Sequence, residues 1–141
     1  MVIPFYNECD AAPSLLAELL AVEQSLQANW EYLLIDDCGT DGTPAALNAW
    51  AAEHPGCRVV HMPGNRGQAA SLYAGLQQAT APLIITLDGD GQNVPADIPT
   101  LINQLGTADM VVGIRAERND SRLRRLMCHD VTIKVRVSLR L

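Results

Sequence analysis

Apolar and polar positions follow one another in blocks along the chain. Short unbroken apolar runs close on acidic or small residues, and longer stretches with apolar residues three and four apart come after them. Val2-Ile3-Pro4 reads as the tail of a first strand. From Pro13 to Gln27, Leu15, Leu16, Leu19, Leu20, Val22 and Leu26 recur at helical spacing. Residues 31–37 (EYLLIDD) read as a buried strand ending in two acids, and Thr43–Ala52 as a second helix with Thr43 as N-cap and Pro44 at its first position. A third strand (CRVVHM, 57–62) precedes an alanine-rich helix over Gly67–Ala79. A fourth strand (PLIITLD, 82–88), a helix over Pro95–Leu105 and a fifth strand (ADMVVGI, 108–114) complete the series.

Continuous apolar strands alternating with helices imply the α/β class, a mostly parallel twisted sheet with helices on both faces. Ligands of such sheets bind beyond the carboxyl ends of the strands. Tyr6, Asn7, Glu8, Asp36, Asp37, Asp88, Asp90 and Gln92 all follow strand ends of that kind, so one site at that edge is expected.

Composition narrows the classes. At 141 residues, 48% hydrophobic and 18% charged, the chain suits one globular domain. No apolar run approaches the ~20 residues that cross a bilayer, and no basic segment followed by an apolar one opens the chain. A soluble cytoplasmic protein is expected. Cys9, Cys38, Cys57 and Cys128 lack the spacing of a zinc site and read as reduced thiols. His54, His61 and His129 are isolated and read as surface or packing residues. The net charge of −6 is uneven: residues 1–112 carry thirteen acids against Arg58 and Arg66, whereas residues 113–141 carry eight basic residues against three acids. An acidic body suits metal ions and a basic tail suits phosphates or anionic lipid, although solvated surface charge explains either equally.

The strongest local signal is LDGDGQN (87–93). Two carboxylates separated by one glycine beyond a strand can turn toward one point, and hard divalent cations share such oxygens with substrate phosphates. Asp88, Asp90 and Gln92 are the candidate metal ligands; a plain Asp/Gly turn is the competing reading. In IDDCGTDGT (35–43), Asp36 or Asp37 could accept a hydrogen bond from a base N–H, while Asp41 is placed to favour a helix N-terminus. VIPFYNE offers Tyr6 for stacking and Glu8 beside the same edge. In NRGQAASLYAG (65–75), a glycine turn opens a helix whose small residues permit close approach to an anion. No GxGxxG, GxSxG or GxxxxGK[ST] occurs.

Together VIPFYNE, LLIDDCGTDGT, GNRGQAASLYAG and LIITLDGDGQNVPADIP resemble the family 2 glycosyltransferases of the GT-A fold, and most the branch that glycosylates dolichyl or undecaprenyl phosphate. The resemblance covers Val2 to about Arg125. It implies nucleotide binding by Pro4, Tyr6, Glu8, Asp36, Asp37, Asn65 and Gly67. It implies a Mn²⁺ or Mg²⁺ site at Asp88, Asp90 and Gln92, with Asp88 and Asp90 catalytic. Gly113-Ile114-Arg115, with Arg124 and Arg125, resemble the family's phosphate-binding residues. The implied reaction is inverting transfer from a nucleotide-diphosphate sugar to a polyprenyl-phosphate lipid at the cytoplasmic face of the inner membrane, the basic tail making peripheral membrane contact. No nucleic acid is implied. A non-catalytic nucleotide-binding remnant and a Mg²⁺-dependent phosphotransfer or receiver-like domain are the alternatives.

Two departures stand out. Cys38 occupies a place where the family usually has glycine, which strains the turn if positive φ is needed there. Beyond residue 125 the pattern lapses, so residues 1–125 are expected to form the nucleotide-sugar domain and 126–141 an atypical, truncated or frame-altered tail.

Overall fold

The computed structural model describes residues 1–114 and 131–137. Strands β1 (Val2–Phe5), β2 (Tyr32–Asp36), β3 (Cys57–His61), β4 (Leu83–Leu87), β5 (Met110–Ile114) and β6 (Val131–Val137) form one sheet in the order β3-β2-β1-β4-β6-β5. β1 pairs in parallel with β2 and β4, and β2 with β3. β6 is antiparallel to both neighbours, with Leu87 opposite Ile133 and Val111 opposite Val135. The sixth strand was not expected from the sequence. It lies inside the stretch set apart as a tail, where VTIKVRV alternates apolar and polar residues.

Helices α1 (Ala12–Leu26), α2 (Thr43–Glu53), α3 (Gln68–Gln78) and α4 (Ile98–Leu105) link the strands. The strands' period of two divides the core. Ile3, Phe5, Leu34, Ile85 and Leu87 pack with Leu15, Leu16 and Leu19 of α1, Leu47 of α2 and Ile98 of α4. Val2, Leu33, Ile35 and Ile84 face the other way, toward Leu72 and Leu76 of α3. Each fully buried aliphatic or aromatic side chain contributes about 1.5–3 kcal/mol, so both faces of the sheet are held. α3 lies close because Gly75 has no side chain; a Cβ there would overlap Val2 and come within 3.1 Å of Ile35.

Two helix starts differ from expectation. Thr43 is the first residue of α2 rather than its cap, because Asp41 Oδ1 accepts the Thr43 N–H at 2.8 Å and leaves the hydroxyl for another partner. The helix expected over 95–105 begins as a 3₁₀ turn, Pro95–Asp97, and becomes α-helical at Ile98. Pro99 lacks the N–H that would bond back to the carbonyl of residue 95, so the first turn tightens.

Candidate functional site

From β1 the chain runs outward to β2 and β3 on one side, then returns to β4 on the other, so β1 and β4 flank the switch point of the sheet. The ends of β1, β2 and β4 are drawn together by the backbone. Asp37 N–H donates to the Phe5 carbonyl (2.9 Å) and Gly89 N–H to the Pro4 carbonyl (3.2 Å). A Cβ at Gly89 would lie 2.6 Å from that carbonyl oxygen and 2.7 Å from Phe5 Cε1. Glycine between the two aspartates is therefore a requirement of packing, and it lets the backbone between them lie against β1.

The loops beyond β1 and β2 are stitched to each other. Glu8 N–H donates to Thr43 Oγ1 (2.7 Å), Cys9 N–H to Asp41 Oδ2 (3.2 Å), and Thr40 N–H to Asn7 Oδ1 (2.7 Å). Hydrogen bonds from Thr43, together with those from Cys9, outweigh burial and hold the Asp41 carboxyl below the usual carboxylate range. Asn7 (φ 56) and Cys38 (φ 62) adopt left-handed backbone. Asparagine tolerates that region well; cysteine does not, so the strain expected at Cys38 is present.

A cavity of about 410 Å³ opens between these ends. Of the residues singled out from sequence, Pro4, Tyr6, Glu8, Asp37, Asn65, Gly67, Asp88 and Asp90 line it. Phe5, Gln68 and Gly89 line it as well and were not anticipated. Gln68, at the first position of α3, donates its side-chain N–H to Asp88 Oδ1. Its place directly after Gly67 at the helix start is the signal that could have marked it.

Asp37 and Asp36 have separate fates. Asp37 is buried, and its oxygens accept the backbone N–H groups of Arg66 (2.8 Å) and Gly67 (2.7 Å) at the start of α3. Asp36 is not among the lining residues. One of its oxygens accepts Gly39 N–H at 2.8 Å and the other meets His61 Nδ1 at 2.8 Å. His61, whose Nε2 lies 3.2 Å from Asn48 Oδ1, thus has a specific partner that sequence reading missed. Gln92 is not a lining residue either; its backbone N–H donates to Asp90 Oδ1 (2.9 Å). Asn93, buried, donates to the Asp88 carbonyl (3.1 Å) and fixes the turn.

The cavity is strongly acidic. Burial first, then the charges of Asp90 and Asp41, raise the Glu8 carboxyl above its ordinary value. Tyr6 keeps 45% of its surface exposed, leaving ring area available for stacking. Among the described residues no three His, Cys, Asp or Glu side chains stand close enough to hold a metal ion alone. Gly113 and Ile114 lie in β5, with the pairing register shifting between them; Arg115, Arg124 and Arg125 lie outside the described residues. No helix among the described residues is long and apolar enough to cross a membrane.

The largely parallel sheet, with β6 its antiparallel strand and an acidic cavity at its switch point, has the α/β architecture of the GT-A glycosyltransferase fold. Solved structures share that fold. Mannosyltransferase PcManGT from Pyrobaculum calidifontis, in complex with GDP-Man and Mn²⁺, superposes with TM-score 0.68 at 20% identity, over 96% of this chain and 43% of that one. Glucosyl-3-phosphoglycerate synthase from Mycobacterium tuberculosis gives 0.70 at 19% identity, over 96% and 55%. The chain belongs to glycosyl transferase family 2, whose model matches residues 1–137. Among curated relatives, the undecaprenyl-phosphate 4-deoxy-4-formamido-L-arabinose transferase of Pectobacterium atrosepticum is 38% identical over 98% of this chain and 43% of its own length. That of Pseudomonas paraeruginosa is 42% identical over 98% and 41%. The chain spans less than half the length of these relatives.

Proposed function

We propose that this chain forms the donor-binding part of a transferase that moves a sugar, with inversion, from a nucleotide-diphosphate sugar to a polyprenyl-phosphate lipid. The observation that carries the reading is the convergence of Tyr6, Asp37, Asp88 and Asp90 on one cavity at the switch point. Tyr6 and Pro4 offer a wall for the base. Each Asp37 oxygen has one backbone N–H and retains a further acceptor position, so a base N–H can be taken without unmaking the loop.

The cavity suits a hard divalent cation. Its charged groups among the described residues are carboxylates, Asp88 and Asp90 with Glu8 near Asp90, and none of those residues brings a thiol or imidazole to the lining. Asp88 and Asp90, with Gln92 beside them, would hold Mn²⁺ or Mg²⁺ jointly with oxygens of the donor diphosphate. Bound there, the ion supplies Lewis-acid neutralisation of the charge that grows on the leaving diphosphate. Gln68 keeps Asp88 turned toward the cavity. An acceptor phosphate is ionised at neutral pH and attacks without a strong base. We assign Arg115, Arg124 and Arg125 to the phosphates, and the other basic residues beyond Val112 to an anionic cytoplasmic membrane face, at about 1 kcal/mol each.

Thermal melts with UDP-, GDP-, dTDP- and CDP-sugars, with and without Mn²⁺, test this. At a hundred times Kd, binding adds about 2.7 kcal/mol, a rise of several degrees. The expected result is a Mn²⁺-dependent rise with one nucleotide, lost in Asp90→Asn. A rise that persists in the variant refutes the metal assignment, and a melt that no donor moves refutes the donor site.

A further inference from the structure

The other end of the sheet holds a second cavity, about 490 Å³, between the C-terminal end of α1, the start of β2 and the α2–β3 turn. It is separated from the first by the length of β2, roughly 13 Å from Tyr32 to Asp36 at the rise of a strand. Four rings are packed in series at this end. Trp30 and Tyr32 stack with centroids 6.4 Å apart and planes 25° apart. Tyr32 meets Trp50 edge-on at 5.2 Å, and Trp50 stacks on His54 at 3.9 Å. Trp30, Tyr32 and His54 line the cavity, and Glu23 stands among them with its Oε2 accepting the Tyr32 hydroxyl at 2.8 Å. Burial and the Glu23 carboxylate push the Tyr32 phenol far above its ordinary value, so the O–H stays in place as that donor. His54 Nδ1 is engaged by the Trp50 carbonyl at 2.7 Å. The rest of the polar lining is the neutral amides Gln24, Gln27 and Asn29 and the indole of Trp30, whose Nε1–H is buried without a partner; among the described residues neither lysine nor arginine lines the cavity.

Aromatic faces carry negative charge density, and a carboxylate beside them adds a full charge. An anion would be repelled by this lining, and an apolar ligand would strip water from Glu23 without replacing its hydrogen bonds. An ammonium group satisfies both, its charge against Glu23 and its methyl or methylene surface against the rings. We propose that this cavity is a binding site for a small organic cation with an ammonium head. It stands apart from the donor site and does not depend on the reading of that site.

The chain's two tryptophans are Trp30 and Trp50, so intrinsic fluorescence reports on this end of the molecule. The full chain is titrated with tetramethylammonium chloride at constant ionic strength, and with tert-butanol as the uncharged molecule of similar shape. A saturable fluorescence change is expected with tetramethylammonium alone, together with an upfield shift of its methyl proton resonance from the rings. Glu23→Gln keeps an acceptor for Tyr32 and removes the charge, and should weaken binding about tenfold; Asp90→Asn should leave it unchanged. An equal response to tert-butanol, a change that never saturates, or unaltered binding in Glu23→Gln would overturn the proposal. If Glu23→Gln melts early, the proton shift with the unaltered chain decides: its absence overturns the proposal as well.

Discussion

Glu31 and Glu8 sit at opposite ends of the same group of strands, and the protein treats them differently. Glu31, just before β2, accepts hydrogen bonds from Arg58 (2.9 Å), from the Thr80 N–H (2.8 Å) and hydroxyl (2.9 Å), and from the Ala81 N–H. Burial acts to raise its carboxyl, but these donors hold it below the ordinary value. Glu8, beyond β1, is raised by burial and by the charges of Asp90 and Asp41. One end of the sheet uses an acid to fasten β2, β3 and the α3–β4 connection together. The other end gathers acids whose charges work against one another. The hydrogen-bonded acid and the repelled one thereby stand at different ends of the sheet.

Asp37 is the exception to that division and provides the hardest test. It stands at the acidic end yet holds two backbone N–H groups, so Asp37→Ala should destabilise by about 3 kcal/mol. The melting temperature should fall by on the order of 10 °C. An unchanged melt would mean that the start of α3 is held by other contacts. At the fastened end, Glu31→Gln should cost about 1–2 kcal/mol at pH 7. Because the folded carboxyl titrates below the unfolded one, its contribution is present above the unfolded pKa of about 4.3 and fades as pH falls through the folded value. The wild type and variant should therefore converge in acid, which melts from pH 7 to pH 3 would display.

Smaller effects sharpen the picture at the ligand end. Cys38→Gly, by relieving φ 62, should stabilise by about 0.5–1 kcal/mol, measurable by urea unfolding. Glu8→Gln should raise the melting temperature slightly at pH 7. The folded carboxyl titrates above the unfolded one, so its favourable contribution exists below the unfolded pKa and is lost as pH rises through the folded value. The variant's advantage should vanish in acid, the reverse of the charge's behaviour at Glu31. A Glu8→Gln melt lower than wild type at pH 7 would remove the idea that repulsion is stored there.

The parallel core was legible because β1, β2 and β4 are buried on both faces and read as continuous apolar runs, VIPF, YLLID and LIITL. The aspartates after β4 were legible for a related reason, since acids directly beyond such runs must lie at the strand ends. What stayed hidden depended on a choice between neighbours. Asp36 and Asp37 are adjacent in sequence, but one turns to His61 and Gly39 and the other to the start of α3. No local pattern says which. Thr43 gave the cap position to Gly42 while its own N–H went to Asp41, a competition that composition alone does not settle. VTIKVRV alternates apolar and polar residues, but seven residues without a preceding helix pattern carry little weight, and its antiparallel place in the sheet depends on β4 and β5.

The position of β6 has a consequence for synthesis. β1 to β4 complete their parallel pairing within residues 2–87, whereas among the described residues the far edge of β4 is covered only by β6. At ribosomal rates of roughly 5–20 residues per second, the intervening stretch of about 50 residues takes several seconds to emerge. During that interval β4 offers an unpaired row of N–H and C=O groups to any neighbouring nascent copy, and β5 waits without its partner. Arrival of residues 131–137 closes both gaps at once, so β6 is the latch that protects the newborn sheet from pairing with its neighbours.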